Sequence, residues 1–551
     1  MILSSPSSSA LLQSIIAPST PPHPSLYPAT CSFFVMGEPQ SVIVDSLIPV
    51  DNASPLFASS RTNQAACFSL IEKALAKLSG ASFKNLVGGN VAESLYDLLG
   101  VGVEDLHLDD RSQPPLSPAN LKTLVLSNLL QGNLVGTGNI DTSKPGQELP
   151  RAKLGIRKNH AFAVVNATDS VVTVYNPQGH DDGYTGTGGT DGMGTLSMNW
   201  KDFHSCFNRL QIAPLSVKET HPNRLQYKRE WSGVGGCSNF PGFRKNGVLV
   251  VDIEPGNELF LMMGQIDRRG LPRGERAGGG DAGVSYDEIG ITVVELKSPA
   301  ALADRLFVHK MCTPERYKVF AKTRSFANRR DNTLWVHEKD IKKKTTLGIV
   351  FSTFHPDVRG DYFCEVRSRH SVADSAAWTD DVQTTELSWT GEFPASLKLS
   401  NLKGATRCAV YMRQTAARVR VNPSKGKPAQ PEPVGCWVLA PNGTVLCQPS
   451  FVKATESSTF VDLTTLEGGE LTIAGRYFKG AKGGEVTVEV MVEGADGGAT
   501  LVKMDEDVDV EALSGQKKKA KTKTKKMKAA RPGFGQAKKT LEGLGDMYAG
   551  L

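Results

Sequence analysis

The sequence predicts an α+β protein in which a helical first part is followed by a long all-β part. Apolar residues recur at helical spacing between about residues 65 and 131, and short strand-like runs separated by glycine-rich turns continue to about residue 495. The 54 glycines and 31 prolines favour strands and turns over a helical bundle. No window approaches about eighteen consecutive apolar residues, so no membrane-spanning helix is predicted.

Composition places the chain among ordinary globular proteins with several domains. It has 551 residues, of which 40% are hydrophobic and 22% charged. The net charge of +6 is unevenly distributed, because residues 516–551 carry +9 and the remaining residues sum to −3. This distribution argues against a basic nucleic-acid-binding domain.

Nine cysteines occur singly, with no C-x-x-C pair. This pattern argues against a zinc ribbon and against a disulfide framework. It predicts a reducing, intracellular location, with the cytoplasm as the expected compartment.

The beginning of the chain is predicted to be unstructured. Residues 1–30 are rich in serine and proline and contain neither lysine nor arginine, so they lack the positive start of a secretory signal. We expect a disordered leader or a mispredicted start.

From Cys31 onward the pattern predicts regular elements. Residues 32–45 are expected to form a strand, a turn and a second strand, and residues 65–78 a helix that stops at Gly80. Further helices are expected at 90–100 and 118–131. Strands follow near 248–253, 258–264, 289–295, 333–337, 347–352 and 361–367, and again near 396–400, 406–412, 435–440, 470–475 and 485–492. One or two antiparallel β-sandwiches are therefore predicted.

A histidine and an asparagine form the candidate site. His160 begins an apolar strand, and Asn176 follows the next strand, after the short turn from Asn166 to Ser170. Antiparallel pairing would bring the two to one edge of a sheet, where an amide can fix the tautomer of an imidazole that activates a thiol. A structural histidine on a strand is the alternative that spacing alone leaves open.

The segments around these residues resemble the calpain family of cysteine peptidases. His160 with Ala-Phe-Ala-Val after it, and the Asn-Pro-x-Gly turn at Asn176, are similar to the second half of the calpain protease core. Further landmarks follow in the family's order over about residues 31–370: 44–49, 71–80, 86–89, 134–138, 230–237, 265–268 and 351–354.

The resemblance implies a partial papain-like calpain protease core followed by calpain-type β-sandwich structure. The expected division is a remnant of the first protease subdomain at 31–115, the second subdomain with the His/Asn half at 116–220, and a calpain-type β-sandwich at 221–372. A second, divergent β-sandwich at 380–500 and a disordered lysine-rich tail at 505–551 complete it. The implied activity is that of a calcium-dependent cysteine endopeptidase with Cys-His-Asn chemistry.

The nucleophile of this family is not found in its expected place. Counting back from Val44 puts the Gly-Asp-Cys-Trp segment at or before Met1, so the catalytic cysteine is expected to be absent from this chain. Cys67 fits the packed face of its predicted helix better than a nucleophile, and Cys31 begins a strand, without a helix N-terminus to lower its pKa.

The resemblance also implies calcium binding. Glu93 matches an acidic position of the family, and Asp181, Asp182 and Asp191 lie in a glycine-rich loop that could supply some of the six to eight oxygens that calcium requires. The alternative is a solvated loop. Gln178 stands where the family has a tryptophan that shields the His-Asn pair from water.

Two functions remain open from sequence. The first is a calpain-like endopeptidase whose cysteine segment lies outside this sequence; the second is a catalytically inactive pseudopeptidase with a regulatory or binding role. The expected partners are protein substrates or protein partners. The Lys517–Lys528 run could contact an anionic membrane surface, and no specific nucleic-acid binding is expected.

Overall fold

The computed structural model describes most of the chain. The described residues are 6–18, 28–52, 54–59, 66–86, 88–108, 116–139, 153–231, 235–238, 243, 246–269, 286–296, 318–324, 326–356, 358, 360–378, 384–414, 419–420, 430–431, 434–448, 456–464, 466, 469–477, 485–493, 499–506 and 508. Of the predicted tail at 505–551, the residues from 509 onward lie outside them. The structure is a mixed α/β protein, with mostly strands, few helices and several antiparallel sheets.

The first part combines three helices with a small sheet. Its helices are α1 (Pro6–Ile15), α2 (Cys67–Leu78) and α3 (Val91–Leu99). Its strands are β1 (Ile16–Pro18), β2 (Ala29–Val35), β3 (Glu38–Val44), β4 (Val50–Asp51) and β5 (Ser54–Pro55). Strands β1, β2 and β3 form one antiparallel sheet. Helix α3 is well capped, because the Asn90 side chain accepts from the Ala92 N–H and Gly100 takes the left-handed conformation at the C-terminal end.

The expectation of a disordered leader at residues 1–30 is wrong for residues 6–18. Proline suits the first position of a helix, where its missing N–H would have no helical partner, so Pro6 starts α1 without breaking it. Ile15 is 1% exposed and packs with Ala92, Leu95 and Leu99 of α3. Burial of Ile15 therefore stabilises α1, although the composition of this segment alone suggests disorder.

A six-stranded sheet carries the candidate site. It consists of β6 (Glu104–His107), β7 (Leu134–Asn139), β8 (His160–Ala167), β9 (Val171–Tyr175), β10 (Thr195–Asn199) and β11 (Arg209–Ala213). The strand order is β10-β9-β8-β7-β11-β6, with all pairs antiparallel. Helices α4 (Pro118–Leu130), α5 (Trp200–Cys206) and α6 (Val217–Thr220) accompany it. Side chains from both helices α4 and α5 and from the sheet form one apolar cluster.

Two further sheets follow, formed by residues 223–378. Their strands are β12 (Asn223–Trp231), β13 (Val248–Ile253), β14 (Leu259–Gln265), β15 (Glu288–Leu296), β16 (Lys318–Lys322), β17 (Ala327–Asn328), β18 (Asp331–Val336), β19 (Thr345–Thr353), β20 (Gly360–Ser368) and β21 (Ala377–Trp378). One sheet has the order β12-β20-β14-β18, and the other has β16-β15-β19-β13-β21 with β17 paired to β15. Every strand predicted in this stretch is present, with ends close to the expected ones.

The last two large sheets are formed by residues 384–503. Their strands are β22 (Thr384–Glu392), β23 (Ala395–Ser400), β24 (Arg407–Gln414), β25 (Val419–Arg420), β26 (Gln430–Pro431), β27 (Val434–Leu439), β28 (Val445–Cys447), β29 (Glu456–Asp462), β30 (Leu471–Tyr477), β31 (Glu485–Glu493) and β32 (Thr500–Lys503). The orders are β22-β31-β24-β29 and β28-β27-β30-β23-β32, and β25 pairs with β26.

Among the described helices, none is long and apolar enough to cross a membrane.

Candidate active site

His160 and Asn176 meet at one edge of the six-stranded sheet. His160 is the first residue of β8, and Asn176 directly follows β9, whose last residue Tyr175 lies opposite Ala163. The pairing brings the Nε2 atom of His160 to 2.8 Å from the Oδ1 atom of Asn176. This is the side-by-side placement that the strand-turn-strand pattern predicts.

The amide of Asn176 is held in one orientation by four contacts. Its Nδ2 group donates to the backbone oxygen of His180 at 2.8 Å and to the Oδ2 atom of Asp182 at 3.1 Å. Its Oδ1 atom accepts from the Gln178 N–H at 3.0 Å and faces His160. Asn176 is fully buried, so its amide depends on these contacts. A flipped amide would point its Nδ2 group at the Gln178 N–H, and two donors would then face each other without an acceptor.

The fixed amide sets the tautomer of His160. Because Oδ1 of Asn176 can only accept, the Nε2 atom of His160 carries the proton of the neutral ring. The Nδ1 atom is then the nitrogen with the free lone pair, and it can accept a proton from another group. The His160 ring also packs edge-to-face on Phe162, with 5.0 Å between ring centres.

Two residues have roles that the sequence did not indicate. Gln178 contributes its backbone N–H to the Asn176 amide, while its side chain accepts from Arg157 Nη1 at 2.8 Å. Asp182, which was expected to bind calcium, instead orients Asn176 and lies 3.1 Å from the His180 ring. The turn of Asn-Pro-x-Gly followed by acidic residues is the only sequence signal that could have pointed to this support.

The two cysteines weighed as nucleophiles do not join the site. Cys31 is fully buried in β2, its thiol faces the Leu70 carbonyl oxygen, and burial raises its pKa to about 11. Cys67 is half-buried at the first residue of α2, and no hydrogen bond joins these two described residues, Cys67 and His160. Neither thiol is therefore placed to lose its proton to His160 in this structure.

The residues expected to bind calcium are not brought together. Glu93 lies on α3, is 6% exposed, and accepts from the backbone N–H of Arg330 at 3.2 Å. Asp181 and Asp191 accept backbone N–H groups of their own loop, from Gly183 and from Met193 and Thr195. Within the described residues, no group of three or more histidine, cysteine, aspartate or glutamate side chains could hold a metal ion.

Comparison with known proteins agrees with the family resemblance of the sequence motifs. The family profile described as "Calpain family cysteine protease" matches residues 8–191, a range that contains α2 to α4, His160 and Asn176. Over this segment the chain resembles the calpain family. The match begins within α1, upstream of the start at residue 31 that the sequence motifs suggested.

Curated relatives agree with this placement of the calpain-like chain. The calpain-type cysteine protease DEK1 of Arabidopsis thaliana is 28% identical over 243 residues, which are 39% of this chain and 11% of that protein. Calpain-8 of Rattus norvegicus is 27% identical over 246 residues, covering 38% of this chain and 34% of the relative. The calpain-2 catalytic subunit of Gallus gallus is 25% identical over 399 residues, covering 64% and 54%. The chain thus spans between about a tenth and about half of these relatives' length.

The similarity to solved structures is low. An N-glycanase F structure matches with a TM-score of 0.18 and 7% identity, covering 51% of this chain and 100% of that chain.

Proposed function

We propose that this calpain-like chain is part of a cysteine endopeptidase, in which His160 is the general base and Asn176 orients it. The observation that carries the proposal is the buried Asn176 amide, whose four contacts direct Nε2–H of His160 toward Oδ1 and leave Nδ1 as the acceptor. This is the arrangement that Cys-His-Asn chemistry requires of its histidine.

The proton transfers assign one task to each residue. Nδ1 of His160 takes the proton of a cysteine thiol, and the resulting thiolate attacks the peptide carbonyl carbon to form a carbon–sulfur bond. The imidazolium then returns that proton to the departing amine nitrogen when the peptide carbon–nitrogen bond breaks. Asn176 keeps Nε2–H in place through both steps. The thiol would come from a segment joined before residue 1 of this sequence.

The architecture belongs to the same proposal. We assign residues 116–220 to the His/Asn half of a papain-like core, and residues 221–372 and 380–500 to two β-sandwiches. In support, β13 and β19 of one sheet and β14 and β20 of the next share one buried apolar cluster. The cluster that contains Cys408 and Cys436 likewise draws on both of the last two large sheets.

An inactive calpain-like protein is the second candidate. It is favoured by the thiol placement, because the buried Cys31 has a raised pKa and no hydrogen bond joins the described Cys67 to His160. On this hypothesis His160 and Asn176 persist as a structural pair, and the chain acts by binding protein partners.

The 5′ end of the transcript separates the two candidates. We expect it to read in frame, upstream of Met1, into a Gly-Asp-Cys-Trp segment. The protein encoded with that segment should cleave casein, and its His160→Ala variant should not. An in-frame stop codon directly upstream of Met1, or an extended protein that cleaves equally well with His160→Ala, contradicts the endopeptidase proposal. The stop codon would favour the inactive protein.

A further inference from the structure

A buried ion network joins α3 to the neighbouring four-stranded sheet. Asp97 of α3 is 3% exposed and lies against two arginines from the loops at the end of β14 and the start of β18. Arg330 Nη1 is 2.7 Å from its Oδ1 atom, and Arg269 Nη2 is 2.7 Å from its Oδ2 atom. Each carboxylate oxygen therefore has its own guanidinium.

The two arginines are themselves held in place. Asp267 accepts from Nε of Arg269 at 2.8 Å, and Asp331 lies 2.8 Å from Nη2 of Arg330. The Arg330 guanidinium also stacks over the Tyr96 ring of α3, with 5.7 Å to the ring centre. Both arginines are more than nine-tenths buried, so the network is shielded from water and salt.

Glu93 is part of the same network. One of its carboxylate oxygens accepts from the Arg330 backbone N–H, and its own backbone oxygen accepts from Arg330 Nη2 at 3.0 Å. A calcium ion at Glu93 would have to displace these donors and sit beside a fixed guanidinium of the same charge sign. The donor set around Glu93 therefore does not suit calcium, although the family resemblance suggests it.

We propose that Arg269 and Arg330 form a permanent clamp that fixes α3 on the four-stranded sheet, and that calcium does not bind at α3. The two arginines occupy the carboxylates that a metal ion would need, so the first part of the chain is positioned without a metal. Only the comparison with calcium rests on the family resemblance. The clamp itself does not depend on the peptidase proposal.

Hydrogen–deuterium exchange of the full chain tests the clamp. We expect the amides of α3 to exchange equally fast with and without millimolar calcium chloride. The Arg330→Met substitution should speed their exchange at least about tenfold, because a buried carboxylate loses one partner. Arg268→Met is the matched control: Arg268 is adjacent to the clamp but pairs with Asp287 at 2.5 Å, so α3 exchange should be unchanged. If Arg330→Met does not fold, Arg269→Met serves the same purpose with the other oxygen of Asp97.

Two results would overturn the proposal. One is a calcium-dependent slowing of α3 exchange that Glu93→Gln abolishes, which would establish a calcium site at that carboxylate. The other is unchanged α3 exchange in both arginine variants, which would show that the ion network does not hold the helix. Neither result depends on proteolytic activity, so each leaves the proposed function untouched.

Discussion

Replacing Glu93 by glutamine should stabilise α3 at neutral and higher pH. Burial raises the pKa of Glu93 from 4.5 to about 7, against the opposing influence of the nearby Arg330 and Arg269 guanidiniums and with a smaller contribution from the Asp331 carboxylate. The unfolded chain releases this proton at lower pH than the folded one, so Glu93 destabilises the fold progressively as the pH rises from about 4.5 to about 7. A difference of about 2.5 pH units between the two pKa values corresponds to about 3 kcal/mol as an upper limit.

Glutamine removes this penalty without removing the contact. The side-chain oxygen of the introduced glutamine can still accept from the Arg330 N–H, and the variant side chain does not titrate. The opening free energy of the α3 amides can be measured by native-state hydrogen exchange, corrected for intrinsic rates. For Glu93→Gln it should equal the wild-type value at about pH 4.5 and exceed it by up to about 3 kcal/mol at about pH 8.

An exposed carboxylate provides the control. Asp169→Asn removes a side chain that is 93% exposed and pairs with Lys122 at the surface, so its effect should stay below about 1 kcal/mol at both pH values. A Glu93→Gln variant that is less stable than the wild type at the higher pH would refute the reasoning. It would mean that Glu93 is ionised and stabilised by the arginines.

Three further predictions concern the site and its surroundings. The chain of this sequence should not cleave casein at any calcium concentration and should not react with an epoxide inhibitor of cysteine peptidases; a mass increase on Cys67 that His160→Ala abolishes would contradict this. Gly194→Ala should shift the NMR signals of His160, because Gly194 has a φ of +95° and an added Cβ would lie 2.9 Å from the Asn176 backbone oxygen. Unchanged His160 signals would count against this prediction. Ile15→Ala should lower the free energy of unfolding by about 2–5 kcal/mol, and a change below about 0.5 kcal/mol in urea denaturation would show that α1 is not packed on α3.

The sequence predicts regular elements well where periodicity and turns agree. Strand β13 spans the predicted residues 248–253, and β20 extends the predicted 361–367 by one residue at each end. The pairing of His160 with Asn176 follows from two short strands and one tight turn, because local antiparallel pairing has few alternatives.

Other features depend on contacts that sequence patterns do not contain. Helix α1 is stabilised by the burial of Ile15 against α3, which lies far along the chain, while its proline and serines suggest disorder. The role of Glu93 depends on Arg330, which is 237 positions further along. The family resemblance therefore suggested calcium at Glu93. The structure shows that the Glu93 carboxylate accepts from the Arg330 backbone N–H.

The protonated nitrogen of His160 tests the central claim most directly. Nitrogen-15 NMR of the labelled chain, recorded at a pH where the ring is neutral, distinguishes an imidazole protonated at Nε2 from one protonated at Nδ1. The proposal predicts the Nε2–H form in the wild type and a mixture of both forms in Asn176→Ala, since the amide that fixes the ring is then gone. A wild-type ring protonated at Nδ1, or a tautomer that Asn176→Ala leaves unchanged, would contradict the assignment of His160 as a base oriented by Asn176.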